Sequence, residues 1–350
     1  MIVDAPKLTQ FAAAIIAGAG SEPVEAREVA EHLVEANLKG HDSHGVGMIP
    51  HYVKNVRAGL LKPNQHISFI SEMGSIAVVD GGMGYGQVIA REATEWAIAK
   101  AKEAGLAVFA LRNTHHVARV GAYGELATAA GLVSILFVNV LIAPGRVAPF
   151  GGLAGRFGTN PVCITFPATD KLPPVVLDFA TSRVAAGKLR VAMNEGKPVQ
   201  SGVLIDAEGR DATDPAVFYR SNGSMLSFGE HKGSGLALAC ELLAGVLTGG
   251  GVMHGNIPNR GVKNGMFAIL IDPERFGDTG WMQEEMERLI GWVKSSPPRP
   301  GVDAVMVAGD PERKARETRL KNGIPVDANT WKELLEAAQS ASVPATQIPS

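Results

Sequence analysis

Cysteine is scarce in this sequence, which holds only Cys163 and Cys240 among its 350 residues. Both lie in apolar runs, so they predict buried thiols in a reducing compartment rather than a disulfide or zinc ligands. A strong charge of either sign is also missing, because the formal net charge is only -2. The charge balance therefore gives no reason to expect nucleic acid or an anionic membrane as a partner.

Long apolar runs and several well-known catalytic motifs are missing too. No stretch has the length needed to cross a bilayer, and the first residues lack the basic segment that opens a secretory signal peptide. The phosphate-binding loop of P-loop enzymes, the Gly-x-Ser-x-Gly turn of hydrolases and the Cys-x-x-Cys pair do not occur. We predict a cytoplasmic protein without a metal site.

The pattern of apolar residues changes twice along the chain. Helical spacing dominates the first 60 residues and returns after about residue 281, whereas short β-branched runs alternate with helices between them. Buried strands are predicted over 76–80, 106–111 and 133–139, and helices over 88–104 and 233–247. The sequence thus predicts an α/β fold with a parallel or mixed sheet. We expect two domains, a helical one from residues 1–72 with 285–350, and an α/β one from residues 73–284.

Residues 41–53 place Ser43 and His44 directly before an amphipathic helical pattern. Pro50 lacks an N–H and is tolerated only in a first helical turn, so the polar residues lie at or just before a helix N-terminus. The helix dipole disfavours a protonated imidazole there, and a neutral histidine suits proton transfer. A surface helix cap with incidental histidines explains the pattern equally well.

A glycine-rich turn at residues 82–87 follows a predicted strand and opens a predicted helix, as the dinucleotide-binding motif G-x-G-x-x-G does. Gln87 replaces the third glycine, and the acidic residue expected after the next strand is missing. We therefore expect this turn to serve close packing rather than phosphate binding.

Residues 113–119 lie where a predicted strand ends and the next helix begins, which is the usual ligand site of open α/β sheets. His116 and Arg119 are three residues apart, so a helical first turn would place them on one side. The Arg119 guanidinium suits a carboxylate, which it can bind through two parallel hydrogen bonds. A solvated loop is the alternative.

Small polar residues beside other predicted elements suit a nucleotide or a substrate. Residues 157–161 and 177–182 lie next to strands and can contact a ribose or a phosphate, or form capped turns. His231 and Lys232 lie at a predicted helix start, where a cation and free backbone N–H groups favour a phosphate. A capped helix with an exposed lysine is the alternative there.

Taken together, six segments resemble the type-2 malate/L-lactate dehydrogenase family, in the same order along nearly the whole chain: 41–53, 115–123, 156–161, 178–182, 230–233 and 322–327. That family includes ureidoglycolate, sulfolactate and piperideine-carboxylate enzymes. The resemblance implies a dehydrogenase that uses NAD or NADP to interconvert 2-hydroxy and 2-oxo acids, on a non-Rossmann nucleotide-binding fold. It also implies a homodimer with sites near the subunit interface.

The resemblance assigns roles to individual residues. It implies that His44 donates the proton to the substrate carbonyl with Ser43 as its hydroxyl partner, and that His116 is an acid–base residue in some members. Thr159 falls at an expected substrate contact. Cofactor contacts are expected at His116, Val117, Ala118, Arg119, Val120, Asp178, Phe179, Ala180, His231, Lys232 and Gly309.

One position departs from the family pattern. Many members carry an arginine that binds the substrate carboxylate where this chain has Met48. We hypothesise that Arg119 binds the carboxylate instead. Met48 then admits a bulkier or more apolar substrate, such as 2-oxoglutarate or phenylpyruvate.

Several alternatives stay open at the level of the sequence. Either His44 or His116 is the proton donor, and the cofactor is either NAD or NADP. A cyclic imine reductase acting on piperideine- or pyrroline-2-carboxylate would use the same delivery of hydride and proton. A non-catalytic dinucleotide-binding protein is favoured by Met48, whereas the joint presence of Ser43, His44, His116, Asp178 and Lys232 argues against it.

Overall fold

A computed structural model describes residues 1–255 and 261–349 of the chain. The helices in this part are α1 (Ala5–Gly18), α2 (Pro23–Leu38), α3 (Ile49–Arg57), α4 (Gly86–Ala104), α5 (Gly121–Ala129), α6 (Ala186–Asn194), α7 (Ala216–Arg220), α8 (His231–Cys240), α9 (Thr279–Lys294), α10 (Asp310–Asn322) and α11 (Ala328–Ser340). The strands are β1 (Ile2–Val3), β2 (Ser68–Met73), β3 (Ile76–Asp80), β4 (Leu106–Thr114), β5 (Val133–Leu141), β6 (Val162–Phe166), β7 (Val175–Phe179), β8 (Leu204–Ile205), β9 (Asp211–Ala212), β10 (Ser224–Met225), β11 (Lys263–Ile271) and β12 (Ile324–Pro325).

Seven of the described strands form one mixed sheet in the order β2-β3-β4-β11-β5-β6-β7. Strands β3 and β4 pair in parallel, and the other neighbours pair antiparallel. The prediction of an α/β fold with a mixed sheet is confirmed. Strand β11 comes last of the seven in the chain but lies in the middle of the sheet, between β4 and β5. The sheet is therefore complete only when this distant segment lies between two earlier strands.

Helix α4 lies against this sheet through a stripe of alanines. Ala90, Ala93, Ala97 and Ala101 recur at spacings of three and four residues, so they share one helical face, and all four are fully buried. Small side chains let the helix approach the strands closely. The core that it covers includes Phe109 of β4 and further residues of β5 and β11.

A second core is built from the two ends of the chain. Helices α1, α2, α3 and α11 bury Leu8, Phe11, Leu33, Tyr52 and Leu334 against one another. A third, smaller core lies beside the three-stranded sheet β10-β8-β9. The domain ranges 1–72 with 285–350 and 73–284 stay predictions, and residues 256–260 and 350 within them lie outside the described residues.

The predicted helix over 233–247 is α-helical only as far as Cys240. It continues as a π-helix, Glu241–Leu247. In this geometry the buried Glu241 carboxylate accepts hydrogen bonds from Asn160 Nδ2 at 2.9 Å and from Met253 N at 3.1 Å. The hydrogen bonds to Glu241 thus occur where the α-helix changes to a π-helix, a change that the spacing of apolar residues does not predict.

The cysteines, the longest helices and the possible metal ligands of the described residues bear on the predictions from composition. Cys163 and Cys240 are buried free thiols, as predicted. No described helix is both long and apolar enough to cross a membrane. Within residues 1–255 and 261–349, no three or more His, Cys, Asp or Glu side chains are grouped so that they could hold a metal ion.

Candidate active site

Side chains of α2 and α10 hold the polar segment before α3 in place. It forms two short 3-10 turns, Asp42–His44 and Val46–Met48. Arg319 donates two hydrogen bonds to the Asp42 carboxylate, at 2.6 and 2.9 Å, and the Asn37 side chain donates a third. These bonds fix the backbone on which Ser43 and His44 stand, and Ser43 Oγ lies 2.9 Å from His44 Nδ1.

The second imidazole comes from the loop that follows β4. Gly86, the first residue of α4, contacts the backbone of His116 so closely that a Cβ there would lie 2.4 Å from the His116 carbonyl oxygen. The glycine-rich turn therefore serves close packing in this structure, as predicted. It brings the start of α4 against the loop that carries His116.

The predicted helical turn joining His116 to Arg119 is wrong. Helix α5 begins only at Gly121, and Ala118 has a left-handed φ of 56° that interrupts any helix before it. The Val117 N–H is taken by the side chain of Asn264 at 3.0 Å. His116 and Arg119 consequently have different partners.

The two predicted catalytic imidazoles come together. The rings of His44 and His116 are stacked, with centroids 5.6 Å apart and planes 18° apart. His44 contacts a hydroxyl through Nδ1, as given above, and His116 Nδ1 lies 2.8 Å from the Tyr52 hydroxyl. Both histidines are half-buried.

The partner of Tyr52 determines which nitrogen of His116 carries the hydrogen. Gln87 Nε2 donates to the Tyr52 hydroxyl oxygen at 2.9 Å. Tyr52 therefore directs its own hydrogen to His116 Nδ1, and a neutral His116 ring carries its hydrogen on Nε2. Neither Tyr52 nor Gln87 was predicted from the sequence as a residue of the site. The available signal was a tyrosine within an apolar helical stripe, since a buried hydroxyl needs a partner.

Both imidazoles are uncharged near neutral pH. Burial, reinforced by the positive charges of His41, Arg119 and Lys188, lowers the pKa of His44 to about 4. Burial also holds the pKa of His116 well below its usual value, and the neighbouring histidines add to this shift. A neutral imidazole can accept a proton from a substrate hydroxyl, and it has to take up a proton before it can give one to a substrate oxygen.

The structure contradicts the hypothesis that Arg119 binds the substrate carboxylate. Its two terminal nitrogens donate to the two carboxylate oxygens of Glu125, at 3.0 and 2.7 Å, and its side chain is only 2% exposed. Burial opposes ionisation of Glu125, but the hydrogen bonds and charge of Arg119 outweigh it and hold the pKa of that carboxyl below its usual value. Arg119 is thus committed to an internal ion pair.

Replacing Arg119 with alanine is expected to lower the free energy of unfolding by about 3 kcal/mol, because Glu125 is left with only Lys39 as a cationic partner. Urea denaturation measures this change. Arg91→Ala is the control, since Arg91 pairs with Glu95 at the surface with its side chain 45% exposed, and a loss below about 1 kcal/mol is expected there. Equal losses for the two variants would contradict the buried-pair assignment.

The other expected substrate contacts lie near these elements. Met48 is half-buried and packs against the helical core at the start of α3. The carbonyl of Thr159 accepts hydrogen bonds from both the backbone N–H and the hydroxyl of Thr181, each at 2.9 Å. These bonds hold the backbone of Thr159 in place, and its side chain is half-buried.

The expected cofactor residues divide into buried and accessible positions. Val117, Ala118 and Val120 are at most 4% exposed, so only their backbone groups could touch a cofactor. Asp178 Oδ2 accepts from Gly121 N at 2.7 Å and so fixes the start of α5. The accessible positions are the half-buried Phe179 and Ala180 and the exposed His231 and Lys232 at the start of α8, whereas Gly309, directly before α10, is buried.

The fold and the whole sequence match known proteins. The sequence profile of the malate/L-lactate dehydrogenase family matches residues 3–335. Hydroxycarboxylate dehydrogenase B from Escherichia coli K12 is 44% identical over 345 residues, which cover 97% of this chain and 94% of the relative. L-Lactate dehydrogenase from Cupriavidus necator is 37% identical and covers 91% of each chain.

A solved structure agrees with this result. Malate dehydrogenase from Pyrococcus horikoshii superposes with a TM-score of 0.87 at 31% identity, covering 98% of this chain and 96% of that one. The fold and the sequence thus match a class of oxidoreductases, the dehydrogenases of 2-hydroxy acids. This chain is a member of the malate/L-lactate dehydrogenase family, and the resemblance drawn from its motifs is confirmed.

Proposed function

We propose that this chain is a pyridine-nucleotide-linked dehydrogenase that interconverts 2-hydroxy acids and 2-oxo acids. The observation that carries the proposal is the stacked pair of neutral imidazoles, His44 and His116, each contacted by a hydroxyl group. Moving a hydride to or from a carbonyl carbon requires a proton at its oxygen, which such a pair can exchange. The names of the relatives, which include hydroxycarboxylate, lactate and malate dehydrogenases, support this substrate class.

We propose NAD or NADP as the cofactor, and the donor set near β7 and α8 fits such a dinucleotide. His231 and Lys232 are exposed on the first turn of α8, where a cation and the helix N-terminus favour phosphate. Gly309 lies beside β7, because Ala308 O accepts from Val176 N at 3.4 Å. When bound, the nicotinamide ring supplies or accepts the hydride.

In the proposed mechanism the protonated form of His44 gives its proton to the substrate oxygen when a 2-oxo acid is reduced, and the ring is neutral afterwards. Ser43 orients the ring through Nδ1, which leaves Nε2 for the substrate. His116, whose hydrogen lies on Nε2, can donate a hydrogen bond that polarises the same carbonyl. The alternative division of roles exchanges the two histidines.

We also propose that the α/β part binds the nucleotide without a Rossmann topology, and that the protein is a homodimer. The sheet has a single parallel pair among its seven described strands, unlike a doubly wound parallel sheet. The glycine-rich turn packs on the His116 backbone rather than standing free for a phosphate. Light scattering that returns the mass of one chain would contradict the dimer.

The substrate class is tested by following NADH and NADPH consumption with pyruvate, oxaloacetate, 2-oxoglutarate, phenylpyruvate and one cyclic imine carboxylate. Turnover of one or more 2-oxo acids is the expected result. Reduction of the cyclic imine alone would replace the proposal with an imine reductase. Binding of NADH without any turnover would favour a non-catalytic dinucleotide-binding protein.

A further inference from the structure

Helix α6 is packed closely against the segment that carries Ser43. A Cβ at Gly187 would lie 2.3 Å from the Ser43 Cβ, so this position of α6 has room only for glycine. Three residues later, on the same helical face, Arg190 reaches the next turn of that segment. Its Nη1 donates to the carbonyl oxygen of Gly47 at 3.2 Å.

The Arg190 guanidinium fits beside this segment because Gly47 has no side chain. A Cβ at Gly47 would lie 2.7 Å from Arg190 Nη2. Two glycines, one on each element, thus let α6 and the catalytic segment meet with an arginine between them. The guanidinium sits beside His51, whose Nε2 is 3.5 Å from Arg190 Nη1.

Among the described residues Arg190 has no carboxylate at ion-pair distance, although its charge contributes to the lowered pKa of the Asp327 carboxyl. No carboxylate of the described residues lies within 4.0 Å of it, in contrast to Arg119 with Glu125 and Arg319 with Asp42. The contacts of Nη1 with Gly47 O and His51 Nε2 engage two of the five N–H donors, and the side chain is half-buried rather than freely solvated. A half-buried guanidinium with three remaining donors, on Nη2 and Nε, suits a planar carboxylate.

The position of Arg190 relates it to the histidine pair. His51 and Tyr52 are adjacent on α3, and Tyr52 holds His116, whereas Arg190 contacts His51. One helical turn before Arg190, Gly187 of α6 packs on Ser43, whose hydroxyl contacts His44. Arg190 therefore lies beside the backbone segment that carries Ser43 and His44, and beside His51, which is near enough to His116 to contribute to its lowered pKa.

We propose that Arg190, with His51 beside it, forms the subsite that binds the C1 carboxylate of the substrate. This inference rests on the proposed 2-oxo acid chemistry and supplies the carboxylate partner that neither Met48 nor Arg119 provides. Met48 is uncharged, and both terminal nitrogens of the buried Arg119 donate to Glu125. The neighbouring cation Lys188 is exposed on α6 and lacks the planar fork that matches a carboxylate.

The test measures steady-state kinetics with pyruvate and with pyruvamide, in which a neutral amide replaces the carboxylate. Arg190→Gln keeps most of the stem but removes the charge. It is expected to raise KM for pyruvate about 10- to 100-fold, as loss of a charge-assisted bond predicts, and to change KM for pyruvamide less than about threefold. Arg190→Lys should recover part of the loss, and added guanidinium ion should restore turnover of pyruvate by Arg190→Gln.

The controls separate this inference from the proposed function. Arg183→Ala removes an exposed arginine just before α6 and should leave both KM values unchanged. If wild-type protein reduces no 2-oxo acid, the proposed function fails. If it reduces pyruvate but Arg190→Gln does so with unchanged KM, or if Lys188→Ala has the larger effect, only the Arg190 subsite is overturned. A rise in KM confined to oxaloacetate would also overturn it, because Arg190 would then bind the distal carboxylate.

Discussion

Replacing His44 with alanine is expected to lower kcat for 2-oxo acid reduction by roughly 10²- to 10⁴-fold, the usual contribution of general acid catalysis. The physical reason is that the substrate oxygen gains negative charge as the hydride arrives, and His44 is the imidazole that we assign to protonate it. Stopped-flow measurement of NADH oxidation under single-turnover conditions gives the chemical step directly. Cofactor binding, measured by quenching of NADH fluorescence, should stay unchanged.

Two further variants identify the donor. His66→Ala is the control, because His66 is an exposed histidine whose partner is Glu92 on the surface, and it should retain wild-type turnover. His116→Ala should lose turnover through a weaker polarisation of the carbonyl. If His44→Ala costs less than about threefold while His116→Ala costs more than 10²-fold, the proton donor is His116 and the two roles exchange.

The rate of reduction is expected to fall steeply with rising pH. The pKa of His44 is lowered to about 4 by burial and by neighbouring positive charges. A group that must be protonated to act is then in its active form below about pH 4 and becomes tenfold rarer with each unit above it. We therefore expect kcat/KM for 2-oxo acid reduction to drop by about 100-fold from pH 5 to pH 7.

The reverse reaction supplies the internal control for this pH dependence. Oxidation of the 2-hydroxy acid needs the neutral imidazole, which is already fully present from pH 5 upward, so its kcat/KM should be flat over the same range. Initial rates corrected for the acid lability of NADH give both profiles. A flat profile for reduction up to pH 7 would contradict a donor with the lowered pKa of His44.

Much of the secondary structure could be predicted because it depends on local spacing. The alanines of α4 recur at three and four residues and were sufficient to predict a helix over 88–104, which the structure gives as Gly86–Ala104. Pro50 placed the start of α3 correctly, since proline is tolerated only in the first turn. Strand β2 was missed, because all six of its residues are exposed and show no burial pattern.

The partner of Arg119 could not be predicted from spacing. A guanidinium three residues after His116 looks like a ligand-binding group in one dimension. In three dimensions, the left-handed Ala118 and the start of α5 place it against Glu125. An arginine is matched equally well by a substrate carboxylate and by one of the protein's own, and only the fold determines which lies closer.

The sequence by itself determined the family, the mixed α/β class and the clustering of Ser43, His44 and His116 as candidates, because these depend on motifs and on apolar periodicity. The tertiary structure decided the state of each group: the hydrogen bond that fixes the His116 tautomer, the burial that lowers the pKa of His44, and the position of Arg190, which bonds to a backbone carbonyl rather than to a carboxylate. Protonation and pairing depend on distances between residues far apart in the chain. Those distances are set by packing, here by contacts that only glycine allows at positions 86 and 187.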